Sequence, residues 1–179
     1  MDKFLDIDIK GVKASLPILP LPSGINIAFF NLHGDQKLTE HCGKELAKLL
    51  GDCEVLLTAE TKGLQLTHVV ARELNMPLYA VARKSKKLYM QDGLEVTYGA
   101  SITTGKTQVF YLSQHDVDLI KGKKVGIVDD VVSTGESLAG LVKVVEEAGG
   151  IPYKNAFVLA EGDAKDRNDV IYLQSIPLL

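Results

Sequence analysis

Cysteine is nearly missing from this chain: Cys42 and Cys53 are the only two, and they lie in no CxxC pattern and beside no paired histidines. That excludes a disulfide framework and a cysteine-built zinc site, and it makes a reducing cytoplasm the expected setting. A cationic surplus is missing too. The formal net charge is -3, which argues against a surface that neutralises many nucleic-acid phosphates, so no nucleic-acid partner is expected. No apolar run reaches membrane-spanning length, and the acidic start with Asp2, Asp6 and Asp8 has no basic segment leading into an apolar core. Neither a membrane association nor a cleaved leader is expected. His33, His68 and His115 fall in no triad or metal-ligand spacing, and His41 and His68 read as helix positions that pack and do not ligate.

An apolar content of 46% over 179 residues supports a sizeable core and suits one α/β domain spanning 1–179. Its most informative stretch runs from Lys124 to Ser137. Val125, Ile127 and Val128, with only a glycine among them, read as a parallel strand covered on both faces. The strand ends in Asp129 and Asp130, and a small hydroxyl-rich turn follows: Val131, Val132, Ser133, Thr134, Gly135, Glu136, Ser137. In an open α/β sheet, ligands bind at the carboxyl ends of strands. Carboxylates repel a phosphate but accept hydrogen bonds from vicinal hydroxyls and can hold a divalent cation, whereas small residues at a helix N-terminus accept a phosphate. A ribose 5-phosphate satisfies both halves.

Elsewhere the chain alternates strand and helix. Residues 1–33, with Pro17, Pro20 and Pro22 and a strand-like run from Ile25 to Phe30, read as a small cap beside the sheet. Asp35 caps a helix whose apolar positions are Leu38, Cys42, Leu46, Leu49 and Leu50, with Gly51 as the stop. Glu54 to Thr58 is a strand, followed by a loop through Glu60, Thr61, Lys62 and Gly63 and a helix from Leu64 to Leu74. Pro77 to Ala82 is the next strand, running into Arg83-Lys84-Ser85-Lys86-Lys87. Four cations at a strand end, in an acidic protein, fit an anion site. Residues 88–108 carry Gly93, Gly99 and Gly105 without a sustained period, which predicts a long mobile hairpin or loop able to close over a substrate. Gly99 and Gly105-Lys106-Thr107 imitate a phosphate-binding P-loop, but five residues intervene where four are needed and a strand pattern follows. Glu136 to Ala148 is a helix stopped by Gly149-Gly150, Asn155 to Ala160 a buried strand ending in Glu161-Gly162-Asp163, and Val170 to Leu173 a last short strand.

Val125 to Ser137 resembles the phosphoribosyl-pyrophosphate (PRPP) signature of the type I phosphoribosyltransferases. That resemblance implies a doubly wound α/β fold, with a mainly parallel sheet of about five strands, flanking helices and an N-terminal hood over 1–33. It implies transfer of the 5-phosphoribosyl group of PRPP to a purine base, releasing pyrophosphate and a nucleoside monophosphate. Asp129 and Asp130 would orient the ribose hydroxyls, favour a cationic ring and meet Mg²⁺, while Val131 to Ser137 would hold the 5-phosphate. Glu60-Thr61-Lys62-Gly63 corresponds to the Glu-Ala-Arg-Gly pyrophosphate loop of adenine phosphoribosyltransferases. Arg83 and Lys84, with Lys87, resemble their Arg-Lys…Lys-Leu segment. Pro20 to Ile25 resembles the segment that holds adenine, which implies base contacts from Ile25 and Ile27, with Glu161 closing the pocket; Ala28 stands where that family tends to have arginine. Tyr98 and Lys106 fall on the family's flexible loop, although no acidic residue directly precedes Tyr98-Gly99. Relatives of this kind are usually homodimers. Adenine is the first expected acceptor, with xanthine, hypoxanthine or guanine behind it, and a PRPP-sensing module that binds without turnover is the reading from another class.

Overall fold

The computed structural model describes residues 3–21, 24–100 and 107–179. Strands β1 (Phe4–Ile9) and β2 (Val12–Pro20) form an antiparallel hairpin, and β3 (Asn26–Ala28) pairs antiparallel with the far end of β2. The hairpin turn is two residues long, Lys10-Gly11, both at positive φ, the backbone that matches the twist of the flanking strands. In β1 the even-odd alternation is plain: Leu5, Ile7 and Ile9 turn inward while Phe4, Asp6 and Asp8 face out. The N-terminal segment is thus a three-stranded sheet, where proline density suggested one strand. Pro22 and Ser23 lie outside the described residues.

Helix α1 (Gln36–Ala47) starts where expected, with Asp35 Oδ1 accepting from Leu38 N at 2.9 Å. It stops a turn early, so Leu49 is exposed while Leu50 folds under and is buried. β4 (Val55–Ala59) is buried throughout and leads into α2 (Leu64–Glu73). β5 is only Ala80–Ala82; Pro77 has no N–H to give a ladder, and Leu78 is exposed. A 3-10 turn (Leu88–Met90) then precedes an antiparallel hairpin of β6 (Leu94–Ala100) and β7 (Thr107–Leu112). Lys106 lies outside the described residues. Helix α3 (Gln114–Ile120), unanticipated from sequence, is capped by Ser113, whose Oγ accepts from Asp116 N at 3.2 Å. β8 (Lys124–Val132), α4 (Glu136–Glu147), β9 (Ile151–Glu161), a second 3-10 turn (Gly162–Asp166) and β10 (Ile171–Ile176) complete the chain.

The central sheet has the order β10-β9-β8-β4-β5, all parallel. From β4 the chain winds first to β5 on one side and then to β8 on the other, so the strand order reverses between β4 and β8. That is where an open α/β sheet places its ligand. Alternate residues of the sheet feed two cores. Leu56 and Val128 face α1, α2 and the N-terminal sheet, whereas Leu57, Val125 and Ile127 face α3, α4 and the β6–β7 hairpin. Cys42 and Cys53 are buried and unbonded, and burial pushes both thiols well above their ordinary range.

Candidate functional site

The carboxyl end of β8 delivers two carboxylates to opposite faces of one strand. Asp129 lines a cavity of about 160 Å³ together with Val131 to Leu138, Leu141 and Phe157. Asp130 points the other way, is 5% exposed, and meets Lys62 Nζ at 2.7 Å through Oδ2. The approach is an ion pair without hydrogen-bond alignment, since Asp130 Oδ2 has no aligned donor among the described residues. Asp130 is therefore a buried group, although it stands at the carboxyl end of its strand. Each carboxylate also turns back on the backbone: Asp129 Oδ1 accepts from Asp130 N at 2.9 Å and Asp130 Oδ1 from Val131 N at 2.8 Å. Burial, and then the neighbouring Asp130 charge, push the Asp129 carboxyl up to about 7, because two adjacent carboxylates do not both ionise freely away from water.

Val131 and Val132 belong to the strand; Val132 pairs with Ala160 on β9 and is buried. The turn proper is Ser133 to Gly135. Gly135, at φ +83, is the N-cap of α4 and supplies no side chain to its N–H groups, which leaves them open to an outside acceptor. Ser133, Thr134, Glu136 and Ser137 are exposed around it, and Thr134 Oγ1 accepts from Glu136 N at 3.4 Å. Hydroxyls, open amides and a helix N-terminus of twelve residues converge on one small cavity. Such a cradle has the size and the polarity to suit a phosphate.

Across the switch point, the loop after β4 carries Glu60, Thr61, Lys62 and Gly63. Gly63 has no room for a side chain: a Cβ there would stand 2.3 Å from Thr58 Oγ1 and 2.8 Å from Asp129 Oδ1. The two strand ends are therefore in contact. Glu60 organises the basic segment, accepting from Arg83 Nε at 2.5 Å and from Lys84 N at 2.7 Å, while Arg83 Nη1 donates to Tyr89 at 3.0 Å. Glu60 thus positions the two cations that follow β5. Lys84 is exposed and Lys87 half-buried. Glu60, Thr61 and Arg83 share the wall of a cavity of about 500 Å³ with Tyr79, Tyr89 and Asp116.

Tyr98 sits on β6, buried, with its ring stacked on Phe110 at 4.4 Å and flat against Gly140 of α4. It anchors the hairpin to the helix that follows the cradle, in contrast to the mobile position expected. Ile25 is exposed and Ile27 half-buried on the N-terminal sheet, and Glu161 ends β9 one residue past the Val132–Ala160 pair. Sequence reasoning passed over Phe29: it is 39% exposed, and its ring centroid is 5.9 Å from Lys62 Nζ. It was concealed within a strand-like apolar run, where its one signal was a bulky residue placed after the last ladder pair.

No group of three or more metal-binding side chains occurs among the described residues. The pair Asp129 and Asp130 still suits Mg²⁺, which keeps several waters and is held by one or two carboxylates plus substrate oxygens.

Comparison with known proteins adds to this geometry. The chain is 32% identical over 148 residues to a xanthine phosphoribosyltransferase of Exiguobacterium sp. (strain ATCC BAA-1283 / AT1b), covering 78% of this chain and 75% of the relative. In structure it is similar to the adenine phosphoribosyltransferases of Thermoanaerobacter pseudethanolicus ATCC 33223 (TM-score 0.66, 24% identity, 97% and 95% of the two chains) and Rhodothermus marinus DSM 4252 (TM-score 0.70, 22% identity, 97% and 94%). Residues 31–171 match the phosphoribosyl transferase domain, and with its cradle, basic loop and switch point in that span the chain belongs to the phosphoribosyltransferase family.

Proposed function

We propose that the chain transfers the 5-phosphoribosyl group of PRPP to a purine base, with release of pyrophosphate, in purine salvage in the cytoplasm. What carries the reading is the shared wall of Asp129 and Ser133 to Ser137 around one cavity at the switch point, with Lys62 on the facing loop. The 5-phosphate sits on the open amides and hydroxyls of the turn. Asp129 and Asp130 accept from ribose hydroxyls, and their charge favours an oxocarbenium-like ring as the C1–O bond to pyrophosphate lengthens ahead of attack by a base nitrogen. Pyrophosphate is held by Lys62 and the Arg83–Lys84 segment. Mg²⁺ would neutralise pyrophosphate oxygens when bound with the substrate. Because Lys62 and Asp130 occupy each other, pyrophosphate arriving at the lysine and a ribose hydroxyl arriving at the carboxylate exchange one pair of partners for another. The hydroxyl then hydrogen-bonds the buried Asp130 carboxylate in place of the lysine.

Adenine is the acceptor we favour. Glu161 and Asp163 make the end of β9 acidic, and a carboxylate accepts from an exocyclic amino group. Xanthine is the second reading, favoured by the name of the 32% identical relative. Pyrophosphate release measured with PRPP, Mg²⁺ and adenine, hypoxanthine, guanine or xanthine tests both. The highest kcat/KM with adenine is expected; no release with any purine would refute the activity, and release with xanthine alone would refute the acceptor. We further infer a homodimer, since Leu88 is 91% exposed beside exposed Tyr89, an apolar pair that a second copy would cover; sedimentation velocity checks it.

A further inference from the structure

The cradle has an electrostatic deficit. From Asp129 to Leu138 it contains three carboxylates, Asp129, Asp130 and Glu136, and no cation. A sugar phosphate brings close to two further negative charges, and α4 supplies only a partial positive charge at its N-terminus. Lys62, the cation across the crevice, is committed to Asp130.

The missing cation stands on the loop after β9. Arg167 follows the 3-10 turn Gly162–Asp166, and its guanidinium lies against the apex of the cradle: a Cβ on Gly135 would be 2.5 Å from Nη1 and 3.2 Å from Cζ. Asp169 fixes the fork from behind, with Nε donating to Oδ1 at 2.9 Å and Nη2 to Oδ2 at 2.6 Å. Nη1, the nitrogen beside Gly135, has no hydrogen-bond partner among the described residues. The loop itself is tied down, since Asn155 Nδ2 donates to Asp169 O at 2.9 Å and Tyr172 to Lys165 O at 3.2 Å. Asp169 is half-exposed at 48%, so water screens its charge. The Arg167 side chain is itself 35% exposed, so its guanidinium can be reached by a ligand from solvent.

We infer that Arg167, oriented by Asp169, is a phosphate-binding residue of the cradle, donating from Nη1 to the 5-phosphate of the sugar substrate at the rim formed by Gly135. The inference rests on the PRPP reading of that cradle, and it also assigns Gly135 a second purpose: any side chain there would displace the guanidinium.

The test is calorimetric titration of ribose 5-phosphate and, separately, of pyrophosphate with Mg²⁺ into the wild-type protein and the variants Arg167→Gln, Arg167→Lys and Asp169→Asn, together with steady-state kinetics. Loss of one charge-assisted hydrogen bond should weaken ribose 5-phosphate binding in Arg167→Gln by about tenfold or more. Pyrophosphate affinity and the melting temperature should be unchanged, and KM for PRPP should rise more than kcat falls. Arg167→Lys should recover part of the loss, and Asp169→Asn should show a smaller one. If wild type binds ribose 5-phosphate and Arg167→Gln binds it equally well, the role of Arg167 is refuted while the cradle stands. If wild type itself binds no ribose 5-phosphate, the PRPP reading fails and takes this inference with it. Equal loss of both ligands in Arg167→Gln would mark a structural prop and would also overturn the assignment.

Discussion

Lys62 Nζ and Asp130 Oδ2 meet at 2.7 Å across the gap between the β4 loop and the end of β8, which joins the two halves of a doubly wound sheet at the point where its strand order reverses. The carboxylate is buried and the lysine 41% exposed on its side chain, so the two partners are unequal. Replacing Lys62 by Met strands a buried charge, whereas Asp130→Asn removes that charge and keeps an oxygen for Val131 N. We expect Asp130→Asn to melt within about 3 °C of wild type, while KM for PRPP rises by roughly tenfold or more. Lys62→Met should lose about 1 kcal/mol of stability, discounted for the exposure of the lysine, in addition to weaker pyrophosphate binding. Urea melts and PRPP kinetics on the two variants check the asymmetry; unchanged PRPP kinetics in Asp130→Asn would count against the ribose assignment.

Asp129 should make both stability and activity depend on pH. Its carboxyl, ordinarily near 3.8, is pushed up to about 7 by burial and by Asp130. Between those values the folded protein holds a proton that the unfolded chain has released. The contribution to stability is therefore fully present below about 3.8 and is lost as pH rises through about 7. Relative to Asp129→Asn, the wild type should lose unfolding free energy between pH 5 and pH 8 in chemical denaturation. Since the ionised form favours the cationic ring, kcat/KM for PRPP should rise with pH through about 7 and then level off. A stability difference between the two proteins that does not move with pH would show that Asp129 titrates as an ordinary carboxyl.

Much of this was legible in the residues, for reasons that also explain the rest. The β4, β8 and α4 elements could be read because strands buried on both faces leave continuous apolar runs, and helices leave a 3.6-residue stripe ended by glycine. Asp35 declared the start of α1 in the same way. The cap of α3 at Ser113 was missed because a seven-residue helix gives too little periodicity, and the reading of residues 88–108 as hairpin or loop did not delimit β6 because Gly93, Gly99 and Gly105 punctuate it. Long-range contacts left no local trace at all. Nothing in sequence announces that Asp130 turns to Lys62, that Glu60 binds Arg83, or that Arg167 lies on Gly135; each joins residues more than twenty positions apart.

Gly63 makes a sharp test of the contact between the two strand ends. A methyl group there meets Thr58 Oγ1 at 2.3 Å and Asp129 Oδ1 at 2.8 Å, distances at which backbone or carboxylate must shift. Overpacking of this kind costs about 1–3 kcal/mol, so Gly63→Ala should melt roughly 3–10 °C below wild type for a chain of this length. Since Asp129 Oδ1 is one of the two atoms crowded by that methyl, kcat/KM for PRPP should fall as well. A control at Gly51, where an added Cβ meets nothing within 4 Å, should leave both quantities near their wild-type values. Equal effects at the two glycines in thermal melts and kinetics would mean that the crowding at Gly63 is relieved without cost.

Phe29 bears on the base. It is 39% exposed and follows β3 of the N-terminal sheet, with its ring centroid 5.9 Å from Lys62 Nζ, the group that meets Asp130. A flat aromatic ring there can stack on a purine, an interaction of about 1–3 kcal/mol per base in nucleic-acid readers. Its role is expected to be confined to the base because it contacts no phosphate-binding group apart from Lys62. Phe29→Ala should therefore raise KM for the purine by roughly five- to fiftyfold, with KM for PRPP within about twofold and melting temperature within about 2 °C of wild type. Phe29→Leu, equally apolar but unable to stack, should lie near the alanine variant if stacking matters and near wild type if bulk alone does. Steady-state kinetics with each substrate varied in turn distinguishes these outcomes, and an unchanged KM for purine in Phe29→Ala would move the base away from the N-terminal sheet.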